Sequence, residues 1–273
     1  MRSTSPGGGR FEGGRVVVTG ASSGIGRATA LAFAREGATV MAIARRSDRL
    51  AELADEAARE TADGRIETAT VDVRNRSDLR STIAGFAEGG GLDVLVNNAG
   101  VAHREGLLEV SDEHWDDTLE TNLGAAFAAS QEAARHMVAG SGGAIINVAS
   151  IDAFVAESPF GAYCASKAGL VMLTRCLAFE LGHLGVRCNA VCPGMTVTEM
   201  TERDLTDDFE RAYREQIPMQ RLSAPDEQAS VIVFLASKEA SFVNGATIDV
   251  DGGQRAGFWY SPELAPGHRS GRA

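Results

Sequence analysis

The chain has 273 residues, of which 44% are hydrophobic and 23% are charged. This composition is usual for a folded globular protein and excludes the disordered, collagen-like and coiled-coil classes. Lysine and arginine number 26 against 37 aspartate and glutamate residues, so the formal net charge is -11. Because a negative mean field repels phosphate backbones and anionic membranes, we expect neither a nucleic acid nor a membrane as a partner.

The four cysteines form no CxxC pair, and no histidine lies at metal-ligand spacing from them. We therefore predict no metal site and interpret the cysteines as buried thiols in a reducing compartment. The sequence contains no run of 18 apolar residues, and residues 1–14 lack the apolar centre of a secretory signal. We expect a cytoplasmic protein that begins with a flexible leader over residues 1–14.

Short β-branched runs alternate with alanine-rich stretches of helical period along nearly the whole chain. This alternation predicts parallel strands joined by helical crossovers. The strand runs are continuously apolar, as expected when helices cover both faces of a sheet. We predict an α/β fold with one Rossmann-type, doubly wound parallel sheet in a single domain over residues 15–253. Its seven strands are predicted at residues 16–19, 39–44, 67–72, 92–97, 144–149, 186–191 and 247–250.

Two segments depart from this alternation. Residues 195–222 are charged and rich in threonine, and they follow a strand and a Pro-Gly turn. A segment in that position predicts a mobile lid over a cleft. The tail, residues 254–273, contains turn and aromatic residues without a clear period.

The first predicted strand runs into the glycine-rich turn TGASSGIG, and an alanine-rich helix follows. Gly20 permits a sharp exit from the strand, Gly24 lets backbone approach a phosphate, and Gly26 allows close packing of the helix on the strand. The N–H groups at the start of a helix favour an anion. The turn therefore predicts a site for a dinucleotide pyrophosphate, and a loop that merely turns the chain is the alternative.

The pattern TGxxxGxG at residues 19–26 resembles the cofactor signature of the short-chain dehydrogenase/reductase family. Asp-Val at 72–73, Asn-Asn-Ala-Gly at 97–100 and Pro-Gly at 193–194 follow in that family's order. The resemblance covers about residues 15–253 and implies a nicotinamide cofactor. The contacts it implies come from Gly20, Ser22, Ser23, Gly24, Ile25, Gly26, Arg45, Arg46, Asp72, Val73, Asn98, Ala99, Gly100, Tyr163, Lys167, Pro193, Gly194, Thr196 and Thr198.

Tyr163 and Lys167 lie four residues apart in an alanine-rich stretch that predicts a helix, so they share one face. Because an ammonium beside a phenol favours the phenolate, we expect Lys167 to lower the pKa of Tyr163 towards physiological pH. Such an acid/base suits the reduction of a ketone, whose oxygen needs a proton, and the reverse oxidation. Taken alone, the YxxxK match is equally typical of a surface pair on a helix.

The resemblance adds Asn122 and Ser150, which stand in the family's order before Tyr163 and Lys167. It implies that Tyr163 is the proton donor or acceptor and that Ser150 hydrogen-bonds the substrate oxygen. Lys167 would bind the nicotinamide ribose and bias Tyr163, and Asn122 would hold a water that leads protons to Lys167. Taken singly, Ser150 could cap a strand end and Asn122 could be a polar residue inside a helix.

The end of the second predicted strand bears on the choice of cofactor. An acidic residue there usually selects NAD, because its carboxylate takes the ribose hydroxyls and repels a 2'-phosphate. Here that position is Ala44, and Arg45 and Arg46 follow it. Since a guanidinium can grip a phosphate, we predict a preference for NADP(H), chiefly through Arg45, with NAD(H) as the lesser cofactor. The alternative is that both arginines are solvated charges.

These features predict an NAD(P)-dependent oxidoreductase acting on a ketone or secondary alcohol, a ketoreductase. A 3-oxoacyl-carrier-protein reductase is one alternative, and a non-catalytic dinucleotide-sensing protein is another. Arg135 matches one basic carrier contact of the acyl-carrier enzymes, but Phe179 stands where a second would be. The candidate substrate contacts are mixed in character and indicate neither an apolar chain nor a sugar. They are Ser150, Ile151, Asp152, Phe154, Met195 and Met200.

The helix predicted over about residues 168–181 is rich in alanine and leucine, and it is too apolar to face solvent. Together with the resemblance, this predicts a homotetramer, or else a dimer, with that helix and the C-terminal strand at the interfaces.

Overall fold

The computed structural model describes residues 9–202 and 206–257. Its strands are β1 (Arg15–Thr19), β2 (Thr39–Ala44), β3 (Arg65–Thr70), β4 (Val94–Asn97), β5 (Gly143–Val148), β6 (Val186–Pro193) and β7 (Thr247–Val250). They form one parallel sheet of seven strands in the order β3-β2-β1-β4-β5-β6-β7. The predicted single α/β domain with a doubly wound, Rossmann-type sheet is confirmed as a fold class.

Helices connect these strands in the predicted alternation. They are α1 (Gly24–Arg35), α2 (Ser47–Glu60), α3 (Arg76–Glu88), α4 (Asp112–Leu119), α5 (Ala125–Ala139), α6 (Gly161–Leu181), α7 (Glu199–Glu202), α8 (Asp207–Arg214) and α9 (Pro225–Ala236). A π-helical segment, Glu120–Gly124, joins α4 to α5. Local sequence explains several helix starts, because the side chains of Asn75, Ser111 and Thr206 accept hydrogen bonds from the first-turn N–H groups of α3, α4 and α8.

The hydrophobic core lies on both faces of the sheet. Successive strand residues point to opposite faces, so Val16 and Val18 pack with Phe33 of α1, while Val17 packs with Ile83 of α3 and Met137 of α5. Helices therefore bury both faces, and this explains why the strand runs are continuously apolar in sequence.

The strand order reverses between β1 and β4, which are neighbours in the sheet. In an open parallel sheet, ligands bind in the crevice that such a reversal opens at the carboxyl ends of the strands. The turn after β1, the turn after β4, and Ser150 just after β5 all lie at these ends. The fold thus gathers the predicted site residues at one edge of the sheet.

Strand β3 departs most from its predicted bounds. It begins at Arg65 and ends at Thr70, two residues earlier than predicted, so Asp72 lies in the turn that follows. There its carboxylate accepts a hydrogen bond from the backbone N–H of Arg74 at 3.0 Å. Because β3 is an edge strand with residues of mixed exposure, its apolar pattern is a weak guide to its ends.

The cysteines correct the expectation of uniformly buried thiols. Cys188 and Cys192 are buried on β6, but Cys164 is half-buried and Cys176 is exposed. Cys176 follows Met172 by four residues on α6, and the two side chains share a face that is turned away from the sheet.

The described part of the predicted leader, residues 9–14, is attached to the domain. Phe11 is buried edge-on against Phe33, with ring centroids 4.8 Å apart, and its N–H donates to the carbonyl of Glu36. Residues 1–8, 203–205 of the predicted lid and 258–273 of the predicted tail lie outside the described residues. Within the described ranges, no helix combines the length and apolar character needed to cross a membrane.

Candidate active site

The glycine-rich turn after β1 has the backbone that its sequence predicts. Gly20 and Gly24 adopt positive φ angles of 67° and 54°, which L side chains rarely adopt. A Cβ on Gly26 would lie 2.3 Å from Asn98 Nδ2 and 2.4 Å from the carbonyl oxygen of Gly20. The start of α1 therefore packs directly against the turns after β1 and β4.

Asn98 ties these two turns together. Its Nδ2 donates to the carbonyl oxygens of Thr19 at 3.0 Å and Gly20 at 3.1 Å. Its own N–H donates to Thr19 Oγ1 at 3.0 Å. The turns after β1 and β4, which border the predicted cofactor crevice, are consequently held in a fixed position relative to each other, although they lie about 80 residues apart in the chain.

Arg46 contacts the glycine-rich turn directly. Its Nη2 donates to Ser23 Oγ at 2.7 Å and to Ser22 Oγ at 3.1 Å, and its Nη1 donates to Glu199 of α7 at 2.6 Å. Arg45 is exposed, and its charge helps to lower the pKa of Asp72 after the hydrogen bond from Arg74. The sequence interpretation relied chiefly on Arg45, whereas in the structure Arg46 is the arginine that reaches this turn.

Ser150, Tyr163 and Lys167 line one cavity of about 260 Å³. Five of the predicted substrate contacts line it too, but Phe154 does not, and its ring packs against the guanidinium of Arg255 instead. The same cavity is bounded by several predicted cofactor contacts, namely Ile25, Pro193, Gly194, Thr196 and Thr198. The structure thus brings the predicted reacting residues and part of the predicted cofactor site into one space.

Lys167 is buried, with 4% of its surface exposed, and its Nζ donates to the carbonyl of Val148 at 2.8 Å. Burial lowers the pKa of Lys167 to about 8. The Nζ atom lies 5.4 Å from the centroid of the Tyr163 ring, on the shared face of α6 that the spacing predicts. The ammonium is therefore near the phenol ring, while its hydrogen bond goes to backbone.

The pKa of Tyr163 corrects the sequence-based expectation. It is raised from its ordinary value, because removal from water and then the charge of Asp152 disfavour the phenolate. A hydrogen bond with Ser150 opposes these two effects without overcoming them. The expected lowering by Lys167 was wrong because the expectation left out both the burial of the phenol and a carboxylate beside it.

Asn122 lies in the π-helical segment rather than in a regular helix, with only 1% of its surface exposed. Its Nδ2 donates to the Val101 carbonyl at 3.0 Å and to Ser166 Oγ at 2.9 Å, while its Oδ1 accepts from the Val101 N–H at 2.8 Å. A Cβ on Gly100 would lie 3.4 Å from Asn122 Oδ1 and 3.6 Å from Lys167 Nζ. Single π-helical turns often occur at functional sites. Here the turn places Asn122 beside Gly100, which Lys167 also approaches.

Two carboxyl groups stand beside the reacting residues. Ser150 Oγ donates to Asp152 Oδ2 at 3.1 Å and accepts from the backbone N–H of Asp152, also at 3.1 Å. Glu157 lines the same cavity, and burial followed by the charge of Asp152 raises its pKa to about 7. Burial likewise raises the pKa of Asp152. This part of the cavity is polar, but burial disfavours the ionised form of both carboxyl groups.

Among the cavity-lining residues that sequence reasoning missed are Arg104, Glu157, Phe209 and Tyr213. Phe209 and Tyr213 belong to α8, within the segment predicted as a lid. Glu157 stands six residues before Tyr163 in a loop, and this proximity was the one local signal available. Arg104 follows the turn after β4 by only four residues.

The remaining predicted cofactor contacts lie at the turns after β1 to β4. Val73 is buried in the core beneath the sheet, and Asp72 stands just before it in the turn after β3. Ala99 accompanies Asn98 beside Gly20, since a Cβ on Gly20 would lie 2.7 Å from the Ala99 Cα. At the base of the lid, Thr198 approaches the glycine-rich turn, where a Cβ on Gly24 would lie 3.0 Å from its methyl group.

Known proteins resemble the chain over most of its length. The family model that matches residues 20–255 is described as enoyl-(acyl carrier protein) reductase. The chain is 38% identical to the 3-oxoacyl-[acyl-carrier-protein] reductase FabG of Thermotoga maritima, over 89% of this chain and 98% of that protein. It is also 38% identical to the D-threitol dehydrogenase of Mycolicibacterium smegmatis, over 89% of this chain and 94% of that protein.

A solved structure agrees with these relatives. The short-chain type dehydrogenase/reductase from Mycobacterium marinum superposes with a TM-score of 0.86 at 36% identity, covering 90% of this chain and 97% of that one. The match to the family model, residues 20–255, spans the glycine-rich turn from Gly20 onwards and the segment that carries Tyr163 and Lys167. The chain therefore belongs to the short-chain dehydrogenase/reductase family.

Proposed function

We propose that this oxidoreductase is an NAD(P)-dependent ketoreductase that interconverts a ketone and a secondary alcohol, with Tyr163 as its general acid/base. The observation that carries the proposal is that Ser150, Tyr163 and Lys167 line one cavity beside the glycine-rich turn. A dinucleotide-sensing protein would have no use for a hydroxyl, a phenol and an amine converging on a cavity that can hold a small molecule.

The residues around the crevice fit a nicotinamide dinucleotide. The first turn of α1 carries no acidic residue, and among the described residues Ser23 makes no side-chain capping bond to it, so its N–H groups suit a pyrophosphate. We place the pyrophosphate at Gly20–Gly26, the adenine near Asp72 and Val73, and the nicotinamide end near Asn98–Gly100 and Pro193–Thr198. When bound, the cofactor supplies or accepts the hydride.

The proton chemistry belongs to the chain's own side chains. In the reducing direction Tyr163 gives its phenolic proton to the substrate oxygen, and the Ser150 hydroxyl turns its one proton from Asp152 Oδ2 to that oxygen as negative charge develops on it. Lys167 holds the ribose and keeps a positive charge near the phenol. Asn122 is buried beside Gly100, which Lys167 also approaches, and it would order a water that leads protons to Lys167. The lid residues Phe209 and Tyr213 limit the access of bulk water.

We propose a preference for NADP(H) over NAD(H). The support is the guanidinium of Arg46 beside Ser22 and Ser23, the exposed guanidinium of Arg45, and the neutral Ala44 at the end of β2. A pair of guanidinium groups favours a 2'-phosphate, and the position that would repel one has no carboxylate.

The relatives from Thermotoga maritima and Mycolicibacterium smegmatis are equally identical to this chain, but they are named for very different activities. Their names therefore do not select a substrate. A carrier-bound substrate gains little support from the surface expected to meet a carrier. Arg135 is held by Glu132 on its own helix at 2.9 Å, and Phe179 offers no charge. We therefore propose a free small molecule as substrate.

The proposal is tested by Tyr163→Phe, which removes the acid/base hydroxyl and keeps the ring. We expect turnover of ketones with NADPH to fall by more than a hundredfold, while the Kd for NADPH, measured by fluorescence titration, stays within about threefold. Tyr213→Phe is the matched control, since it removes another phenol from the same cavity and should cost far less. A Tyr163→Phe protein that keeps a tenth of wild-type turnover would contradict the assigned role.

A further inference from the structure

The polar end of the cavity is built from the stretch between β5 and α6 and from the loop after β4, which lies about 50 residues earlier in the chain. Asp152 comes from the turn Ile151–Ala153, Glu157 from the loop before α6, and Arg104 from the loop after β4. All three line the cavity of about 260 Å³ that Ser150 and Tyr163 also line. This volume is below the roughly 300–1,000 Å³ of pockets for drug-sized ligands. The space therefore suits a small substrate whose reacting carbon lies close to charged groups.

Asp152 is fixed beside the reacting centre. Its Oδ2 accepts from Ser150 Oγ at 3.1 Å and its N–H donates to the same oxygen at 3.1 Å. The Ser150 hydroxyl, which would hydrogen-bond the substrate oxygen, thus both donates to Asp152 and accepts from it. A carboxylate in this position lies within reach of atoms one or two bonds away from the reacting carbon.

Glu157 extends this group into a carboxyl pair. Burial raises the pKa of both carboxyl groups, and the charge of Asp152 adds to the rise for Glu157, whose pKa reaches about 7. Near neutral pH Glu157 is therefore present in both its protonated and its ionised form, beside the carboxyl group of Asp152. Such a pair both accepts and donates hydrogen bonds. The positive charge of Arg104 acts to lower the pKa of Glu157.

The chemistry of this group selects among substrate classes. An apolar acyl chain would remove the carboxyl pair from water without supplying hydrogen bonds, which is unfavourable. An anionic substrate would be repelled by the negative charge of Asp152 and Glu157. Hydroxyl groups match the pair best, because each can donate to a carboxylate oxygen and accept from a protonated carboxyl group.

We propose that the cavity takes a small, neutral polyhydroxylated substrate, a polyol or the matching hydroxyketone, and that Asp152 and Glu157 bind the hydroxyls next to the reacting carbon. The inference rests on the proposed ketoreductase function and names the substrate class of that same site. It assigns the two carboxyl groups as specificity-determining residues, distinct from the acid/base Tyr163.

The first test compares alcohols of one chain length with the full-length protein and NADP⁺ or NAD⁺. The series is 2-butanol, 2,3-butanediol and the four-carbon tetrols, with a short 3-oxoacyl thioester and NADPH as the competing class. We expect kcat/KM to rise along the series, and to be at least tenfold higher for the best tetrol than for 2-butanol. Equal or higher kcat/KM on 2-butanol, or a preference for the thioester, overturns the inference.

The second test removes the hydroxyl acceptors. In Glu157→Met we expect the ratio of kcat/KM for tetrol over 2-butanol to fall at least tenfold, mainly through KM for the tetrol. Glu157→Gln keeps hydrogen-bonding atoms and should fall less, and it provides a folded variant if the methionine protein is unstable. Glu113→Gln, an exposed carboxyl on α4, is the matched control for removing one negative charge. A ratio that stays within twofold in both Glu157 variants overturns the assignment.

The outcomes separate this inference from the proposed function. Turnover of simple ketones or thioesters without turnover of polyols removes the inference and leaves the ketoreductase function standing. Absence of turnover on every class with either cofactor removes the function, and the inference falls with it.

Discussion

At the level of single residues, the phenol of Tyr163 lies under the influence of a neighbouring carboxylate. The charge of Asp152 is the second largest cause, after removal from water, of the raised pKa of Tyr163. In the direction of alcohol oxidation Tyr163 must accept a proton, so its raised pKa confines that activity to higher pH. The same carboxylate that we assign to substrate hydroxyls therefore also influences the pH dependence of the reaction.

Replacing Asp152 with Asn tests this coupling. The amide keeps an acceptor for Ser150 Oγ but removes the negative charge, so the phenolate of Tyr163 becomes less unfavourable and its pKa falls. We expect the rising acidic limb of the kcat/KM profile for alcohol oxidation to move to lower pH. Asp112→Asn, which removes an exposed charge on α4, should leave the limb in place. A limb that stays or moves to higher pH in Asp152→Asn would show that Asp152 does not act on Tyr163.

Arg46 makes a second residue-scale prediction. Since its guanidinium contacts both serines of the glycine-rich turn, Arg46→Ala should weaken NADPH binding about tenfold relative to NADH, or roughly 1.4 kcal/mol. Arg45→Ala measures the contribution that the sequence pattern favoured. The exposed Arg59, at the far end of α2, is the matched control for loss of one positive charge. Titrations of both cofactors decide the matter, and a constant NADPH/NADH ratio across the Arg45 and Arg46 variants would remove the proposed preference.

At the level of elements, two glycines on helices have opposite surroundings. Gly26 on α1 has no room for a Cβ, which would lie 2.3 Å from Asn98 Nδ2, whereas a Cβ on Gly85 of α3 meets nothing within 4 Å. Gly26→Ala should destabilise the fold by roughly 1–3 kcal/mol and weaken cofactor binding, because α1 must move away from the turn after β4. Gly85→Ala should stabilise it by roughly 0.5–1 kcal/mol through helix propensity. Denaturant unfolding measures both, and a stabilised Gly26→Ala protein would contradict the close packing.

The elements also show what sequence could predict. Apolar runs and glycine turns are local signals, so the strands, the glycine-rich turn and the i, i+4 pair on α6 were all predictable. The bounds of the edge strand β3 and the π-helical turn at Asn122 depend on packing that no local pattern reports. Arg104 was missed because it joins the stretch that carries Asp152 and Glu157 only in the folded chain, and Glu157 was missed because no local pattern shows that its loop lines the cavity. The pKa of Tyr163 was wrong for the same reason, since its direction depends on burial and on a neighbour from another segment.

At the level of the whole molecule, two of the surfaces formed by the described residues carry exposed apolar side chains on adjoining elements. The outer face of α6 presents Met172 and Phe179, the latter 90% exposed. A second surface combines the edge strand β7, through Ile248, with Phe234 and the fully exposed Phe242. Exposed apolar groups of this kind mark interaction sites, and an edge strand is a place where another chain can pair. Two self-complementary surfaces on one chain suit a closed assembly of four copies.

We therefore propose a homotetramer, in which α6 forms one interface and β7 with its neighbours forms the other. Light scattering at micromolar concentration should give the mass of four chains for the wild type. Phe179→Glu and Phe242→Glu each bury a charge in one interface and leave the other intact, so each should give a dimer, and the double variant should give a monomer. Leu108→Glu, which changes a residue 97% exposed in a loop outside both surfaces, should remain a tetramer. A monomeric wild type would refute the assembly, and a tetrameric double variant would show that the interfaces lie elsewhere.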